Sequence, residues 1–525
     1  MDLKSFSKGT GKSTQMSLAR LALALLFIVL VYLWITVTKG GIENNTFLII
    51  GAVFGAYMAM NIGANDVANN VGPAVGSGAL TMFWAIIIAA VFEASGALIA
   101  GADVVKTIKK GIVDPALLSD PEVFIWAMTA ALLSAALWLN FATSIGAPVS
   151  TTHSIVGGVM GAGIAVAGFG IVNWGTMGKI VASWVISPVL GGVIAAGFLY
   201  VIKKKIIYQE DKTESAKKYV PVLITIMTWA FATYIVLKGF KHIIKLSLPT
   251  AVVIGLVVAG VSYLLIKPMI AKAADRLDNS RVSVNSLFTI PLIFSAALLS
   301  FAHGANDVAN AVGPLAGIND AIMGGAVGVK ASIPLWVMAV GGLGISVGLA
   351  LYGPKLIKTV GSEITELDQI RAFSIAIAAA ITVIVASQLG LPVSSTHIAV
   401  GGVFGVGFLR EWLSGSETNW LKEVEENFKK DKKELEKLQK TVDKLLTRDG
   451  KDKEDYKEIV KLHSMIDELE TRVKVEKKDF KKAKKQKYVK RDAVKKIVAA
   501  WIITVPMAGL LSAGIYFMIR GIMLP

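Results

Sequence analysis

The sequence predicts an all-α polytopic membrane protein built from inverted repeats, with two re-entrant helical hairpins and a small soluble helical hairpin inserted late in the chain. Mean hydropathy is +0.61 with 54% hydrophobic residues over 525 positions, too apolar for soluble domains. Windows such as Leu18 to Val37 are long enough to cross a bilayer. The segment Gly63-Ala64-Asn65-Asp66-Val67-Ala68-Asn69 returns as Gly304-Ala305-Asn306-Asp307-Val308-Ala309-Asn310, each copy followed by Val-Gly-Pro. A hydroxyl cluster also recurs, as Ala147-Pro148-Val149-Ser150-Thr151-Thr152-His153 and Leu391-Pro392-Val393-Ser394-Ser395-Thr396-His397. Each cluster breaks an apolar region at its centre.

Residues 1–46 form an N-terminal tail and a first span near 18 to 38. That span is longer than a signal-peptide core and lacks a small-x-small cleavage site, so it is expected to remain as an anchor. The tail segment Gly9-Thr10-Gly11-Lys12-Ser13-Thr14 ends like a nucleotide-binding loop, but Phe6 stands where the first Gly is required and no strand precedes it. ATP binding is not expected. The first repeat, 47–202, holds spans near 47 to 72, 79 to 101 and 177 to 202, with a hairpin at 122 to 166. Spans near 219 to 238 and 247 to 266 fill the connecting segment 203–285. The second repeat, 286–409, holds spans near 286 to 313 and 332 to 352 and a hairpin at 371 to 409. Its last span, near 494 to 519 within 493–525, follows the insertion at 410–492.

The repeat offsets locate that insertion. Asp66 and Asp307 are 241 apart, Pro148 and Pro392 are 244 apart, and Trp184 and Trp501 are 317 apart. The jump of 73 falls after the second hairpin, where the sequence turns highly charged. Leu435, Leu438, Val442 and Leu445 form one helical stripe, and Ile459, Leu462, Ile466, Leu469 and Val473 another, separated by the turn signal Arg448-Asp449-Gly450-Lys451. Two antiparallel helices with a solvated structural or oligomerisation role are expected.

The net charge of +16 does not point to nucleic acid: residues 410–496 hold 27 Lys+Arg against 20 Asp+Glu, and the remaining excess lies largely in loops. With both hairpins re-entrant and the N-terminus cytoplasmic, Lys203 to Lys205, Lys267 to Arg281, Lys355 to Arg371 and the insertion all fall on the inner side. The same arrangement inverts the two halves. With no cysteine, disulfides and thiolate metal sites are absent.

A carboxylate inside a bilayer costs several kcal/mol unless it meets a partner or a cavity, so Asp66 and Asp307 mark function rather than simple helix capping. Asn69 and Asn310 share their helix faces, with Asn65 and Asn306 flanking, and such oxygen-rich sets suit sodium. Glu93 and Gln388 are further cation-ligand candidates. At the tips Ser150, Thr151, Thr152, Ser394, Ser395 and Thr396 are placed to open the following helices, whose free amides and dipoles favour an oxyanion. His153 and His397 are expected as packing residues. Neither the Asp motifs nor the tips contain Lys or Arg, so an anion placed beside two aspartates needs a co-bound cation or a proton. Symport follows from this requirement.

The duplicated motif, the Pro-Val-Ser tips, Val75-Gly76-Ser77-Gly78 and Phe92-Glu93 resemble the PiT family of inorganic phosphate transporters. The resemblance implies inorganic phosphate carried into the cell with sodium or protons, and points to Asp66, Asn69, Asp307, Asn310 and the tip hydroxyls. Many relatives carry a second intramembrane glutamate where Ile375 to Ala380 is wholly apolar here. The expectation is a sodium-coupled phosphate symporter of the cell membrane, not an enzyme, with no cofactor. Its partners are phosphate, sodium and the bilayer, with a homodimer as an option and no nucleic acid. Phosphate is assigned to the tips with Asn69 and Asn310, and sodium to the Asp/Asn motifs. Proton coupling, sulfate as the substrate, and a cation channel are the alternatives.

Overall fold

The computed structural model describes residues 3–42, 45–118, 120–145, 149–239, 246–324, 333–363, 367–413, 415–448, 450, 452–485 and 491–524. Pro148 and part of the insertion's turn signal lie outside them. The helices in chain order are α1 (Leu3–Lys39), α2 (Asn45–Asn65), α3 (Val67–Gly76), α4 (Met82–Ala100), α5 (Ala102–Lys110), α6 (Pro121–Ser144), α7 (Thr151–Ala167), α8 (Trp174–Ile202) and α9 (Lys212–Gly239). There follow α10 (Leu248–Ala274), α11 (Arg281–Ser286), α12 (Thr289–Gly324), α13 (Leu335–Glu363), α14 (Gln369–Gln388), α15 (Ser395–Leu413), α16 (Gly415–Leu446), α17 (Lys453–Lys485) and α18 (Arg491–Met523). A single antiparallel bridge, Val113 to Val172, is the extended pairing found among the described residues.

Among the described residues eleven helical segments are long and apolar enough to cross a membrane: nine match the expected spans, and two are the first arms of the hairpins, Pro121–Ser144 and Gln369–Gln388. Besides α9, which begins at Lys212, and α10, which runs to Ala274, the two motif spans differ from the expected ones. The span carrying Asp307 runs on to Gly324, because nothing after Pro314 stops the helix. The span carrying Asp66 is instead broken at that residue into α2 and α3.

The chain folds as two units, 1–406 with 491–525, and 407–490. In the smaller unit α16 and α17 pair through both expected stripes, with Val442, Ile459 and Ile466 buried. Arg472 adds a fork to Asp431, Nε at 2.7 Å and Nη2 at 2.6 Å from Oδ2.

In the larger unit the two halves exchange partners. A Cβ on Gly63 of α2 would sit 1.9 Å from the carbonyl oxygen of Ile345 on α13, and one on Gly304 of α12 would sit 2.1 Å from that of Glu93 on α4. The hairpins repeat the pattern: a Cβ on Gly161 of α7 would collide with the Gly509 carbonyl of α18, and one on Gly405 of α15 with the Gly192 carbonyl of α8. Gly161 and Gly405 differ by 244 and Gly192 and Gly509 by 317, the same offsets that the tips and tryptophans show in the sequence. Reciprocal contacts of this kind are what a two-fold relation between repeats generates, and small residues let the helix backbones approach that closely.

Gly63→Ala therefore forces α2 and α13 apart and is expected to cost about 1–3 kcal/mol, as overpacked sites do. Gly178→Ala, at an exposed helical glycine with open space at its Cβ, is the control that leaves the melting temperature in detergent unchanged or slightly raised.

Candidate transport site

The break at Asp66, the middle of α12 and the two hairpin tips converge on one buried cluster. Ser150 caps α7, its Oγ accepting from the His153 amide at 3.1 Å, and Ser394 takes the same role for α15, accepting from the His397 amide at 3.3 Å. Both helices thereby start at the cluster, and their next hydroxyls enter it. Thr151 Oγ1 donates to Asp66 Oδ2 at 2.6 Å and lies 3.3 Å from Asp307 Oδ2. From the other tip, Thr396 Oγ1 donates to Asp66 Oδ1 at 3.0 Å and accepts from Asn69 Nδ2 at 2.9 Å. Asn310 Nδ2 reaches Thr152 Oγ1 at 3.1 Å and Thr151 Oγ1 at 3.3 Å. Thr152 Oγ1 donates to the Val393 carbonyl at 2.9 Å, so the two tips bond directly to each other.

The cluster is buried and partly unsatisfied. Asp307 is 0% exposed and Asp66 2%. Asp307 Oδ1 and Asn310 Oδ1 are buried without a hydrogen-bond partner, as is Ser395 Oγ. Unpaired acceptor oxygens on a carboxylate and a neighbouring amide are the groups a hard cation takes up. One ligand atom each from Asp66, His303 and Asp307 lies within 4.8 Å of the others.

The flanking asparagines also bond to the hairpins. Asn65 Nδ2 donates to Thr143 Oγ1 at 2.7 Å and Asn306 Nδ2 to Ser387 Oγ at 2.9 Å, at matched ends of the two first arms. Asn306 also donates to the Leu391 carbonyl and accepts from the Val393 amide, clamping the second tip. Thr143 and Ser387 were absent from the sequence reading, although they obey the 244 offset that would have found them.

Glu93 does not point free into the cluster. Its Oε1 accepts from Asn70 Nδ2 at 2.8 Å and its Oε2 lies 2.7 Å from His303 Nδ1, while His303 Nε2 stands 3.1 Å from Asp307 Oδ2. The line Asn70, Glu93, His303, Asp307 is one-sided. By the contacts of Gly63 and Gly304, the counterparts of Glu93 and His303 are Ile345 and Ile62. His303 is missing from the sequence analysis, and the signal that could have found it is a lone ionisable residue just before the second motif.

Gln388 stands apart, on the wall of a cavity of about 600 Å³ beyond the second tip. A second cavity, of about 410 Å³, reaches Thr143 and Ser144 at the first tip. Neither has Asp66 or Asp307 among its described lining residues. Behind the tips, Trp184, His153, His397 and Trp501 form a row of rings with successive centroids 3.8, 4.6 and 3.4 Å apart.

An all-helical, multi-pass membrane protein whose buried carboxylates meet two helix N-termini between repeats is a membrane transporter in design. The chain belongs to the phosphate transporter family, whose model matches residues 62–512. It is 50% identical over 523 residues to a Helicobacter pylori J99 protein named "Putative phosphate permease", covering 98% of this chain and 97% of the relative, so that match runs through the charged insertion. A protein of the same description from Pyrococcus abyssi is 41% identical over 374 residues, 70% of this chain and 90% of the relative. A solved structure described as "The sodium-dependent phosphate transporter" superposes with a TM-score of 0.72 at 32% identity, covering 91% of this chain and all of that one.

Proposed function

We propose that the protein carries inorganic phosphate by symport with sodium, with sodium held by Asp66, Asp307 and their asparagines and phosphate held between the tips at Thr151, Thr152, Ser395 and Thr396. The observation that carries this reading is that the tip hydroxyls donate to the Asp66 carboxylate. A hydroxyl has one proton to donate. While Thr151 and Thr396 give theirs to Asp66, they cannot give them to an oxyanion. A sodium ion on the carboxylates satisfies those oxygens and releases both donors, and it also removes the repulsion an anion would meet. Cation entry thus prepares anion entry, which is the coupling a symporter needs.

The re-entrant reading of the hairpins has support from position. The tips touch Asp66, which lies well inside the span Asn45–Gly76, and Asp307, inside Arg281–Gly324. Placing Lys203 to Lys205 on the cytoplasmic side then puts the free end of α9 outside. The name of the solved relative favours sodium as the coupling ion.

A proton-coupled variant is the second reading, favoured by His303 between Glu93 and Asp307. The deciding experiment is radiolabelled phosphate uptake into proteoliposomes under a sodium gradient, a potassium control and a proton gradient at equal membrane potential. Uptake is expected to require sodium. Uptake driven only by protons would make Asp307 and His303 the coupling groups, and uptake of sulfate in place of phosphate would overturn the substrate.

A further inference from the structure

We infer that Lys238 forms a second oxyanion site, outside the central one, in a vestibule that helix α5 latches shut; this rests on reading the chain as a phosphate carrier. The vestibule is the cavity of about 600 Å³, lined by Asp103 and Thr107 of α5, Lys238 at the end of α9, and Gln388, Leu389 and Gly390 of the second tip. Lys238 lies 26 residues beyond Lys212, about 40 Å along the same helix at 1.5 Å per residue. The vestibule therefore opens on the face opposite the basic run Lys203 to Lys205.

Three polar contacts hold α5 across this space. Asp103 Oδ2 pairs with Lys238 Nζ at 2.5 Å, Thr107 Oγ1 donates to the Gly390 carbonyl at 2.7 Å, and Lys109 pairs with Asp320 of α12. The Thr107 bond fastens the tip itself. On the far side of that tip, Val393 and Thr396 bond to Thr152 and Asp66 of the central cluster. The latch and the transport site are thus two faces of one short turn, whose Gly390 has a φ of +67°.

Charge makes the site selective for anions. Asp103 is one carboxylate shared by Lys238 and, at 3.3 Å, by the exposed Lys106, so its hold on Lys238 is divided. Lys238 is the cation among the described lining residues, is 5% exposed, and has three donors on its ammonium. A buried lysine needs an anionic partner, and removing that partner is costly. An incoming oxyanion can replace Asp103 in this role, so the exchange of partners avoids leaving the ammonium bare. It frees Asp103 and so loosens the hold on α5, on which the Thr107 bond to Gly390 sits. Phosphate arriving at Lys238 in this way opens the path to the tip that will bind it.

Uptake by Lys238→Gln, Lys238→Arg and Asp103→Asn proteins in proteoliposomes tests this, read as KM for phosphate against kcat at low and high ionic strength. Lys238→Gln is expected to raise KM about ten-fold and to flatten its salt dependence, since a focusing charge acts on local substrate concentration. Lys238→Arg keeps KM near that of the unmodified protein. Asp103→Asn, which removes the competing carboxylate, is expected to lower KM. A purely structural ion pair predicts the opposite pattern, with both neutral variants losing activity together, and that result overturns the inference. An unchanged KM in Lys238→Gln overturns it as well. Should Lys238→Gln not fold, the direction of the Asp103→Asn shift decides alone. Failure of the unmodified protein to take up phosphate would instead count against the carrier reading.

Discussion

Asp307→Asn and Asp66→Asn are each expected to abolish sodium-coupled phosphate uptake while leaving a folded protein. Asparagine keeps the shape of the side chain, and the hydroxyls of Thr151 and Thr396 can turn to accept from an amide NH₂ as readily as they donate to a carboxylate oxygen. What disappears is one negative charge in a site that is 0% to 2% exposed. Losing one partner of a buried charge pair typically costs about 3–5 kcal/mol. At about 1.4 kcal/mol per decade that corresponds to a loss in cation affinity of more than about 100-fold.

The two substitutions differ in what surrounds them. Asp66 is held by hydroxyls from both tips, so Asp66→Asn leaves a neutral, bonded side chain. Asp307 has His303 at 3.1 Å and an unpaired Oδ1, so Asp307→Asn removes the carboxylate from the line that continues to Glu93. Sodium-dependent uptake at normal rates by both variants, with unchanged melting temperature, would overturn the cation assignment.

The duplicated features were legible because duplication separates signal from packing. Asp66 and Asp307, Asn69 and Asn310, and the two tip clusters each point to the other by a constant offset, and the structure brings them into one network. What escaped were residues present once. His303 and Asn70 have Ile62 and Ala311 as partners at the 241 offset, and Lys109 and Lys238 lie outside the duplicated motifs, so duplication marks none of them. Their roles depend on which helix lies alongside, and the sequence alone does not specify the pairing of α4 with α12 or of α5 with α9. The break at Asp66 was likewise invisible, since Asp307 occupies an identical motif in a continuous helix.

The same asymmetry makes Thr151 and Ser395 the most informative pair at the tips. They are counterparts by the 244 offset, yet Thr151 Oγ1 contacts both aspartates while Ser395 Oγ is buried without a partner. Thr151→Val preserves volume and strands Asp66 Oδ2. An unpaired buried acceptor costs about 1–3 kcal/mol, more when charged, so this variant is expected to lose both thermal stability and nearly all uptake. Ser395→Ala strands nothing, because no protein group bonds to that hydroxyl here, and its melting temperature should stay unchanged. If phosphate is held between the tips, the Ser395 hydroxyl is a donor waiting for it, and Ser395→Ala raises KM for phosphate by about ten-fold, the worth of one hydrogen bond to a charged group. The sodium dependence of the remaining uptake should be preserved. The contrast separates the two roles of the tip: a hydroxyl that steadies the aspartates affects stability and coupling together, and one that serves only the oxyanion affects phosphate alone. An unaltered KM in Ser395→Ala would remove the second tip from the phosphate site and leave Thr151 and Thr152 to hold the anion.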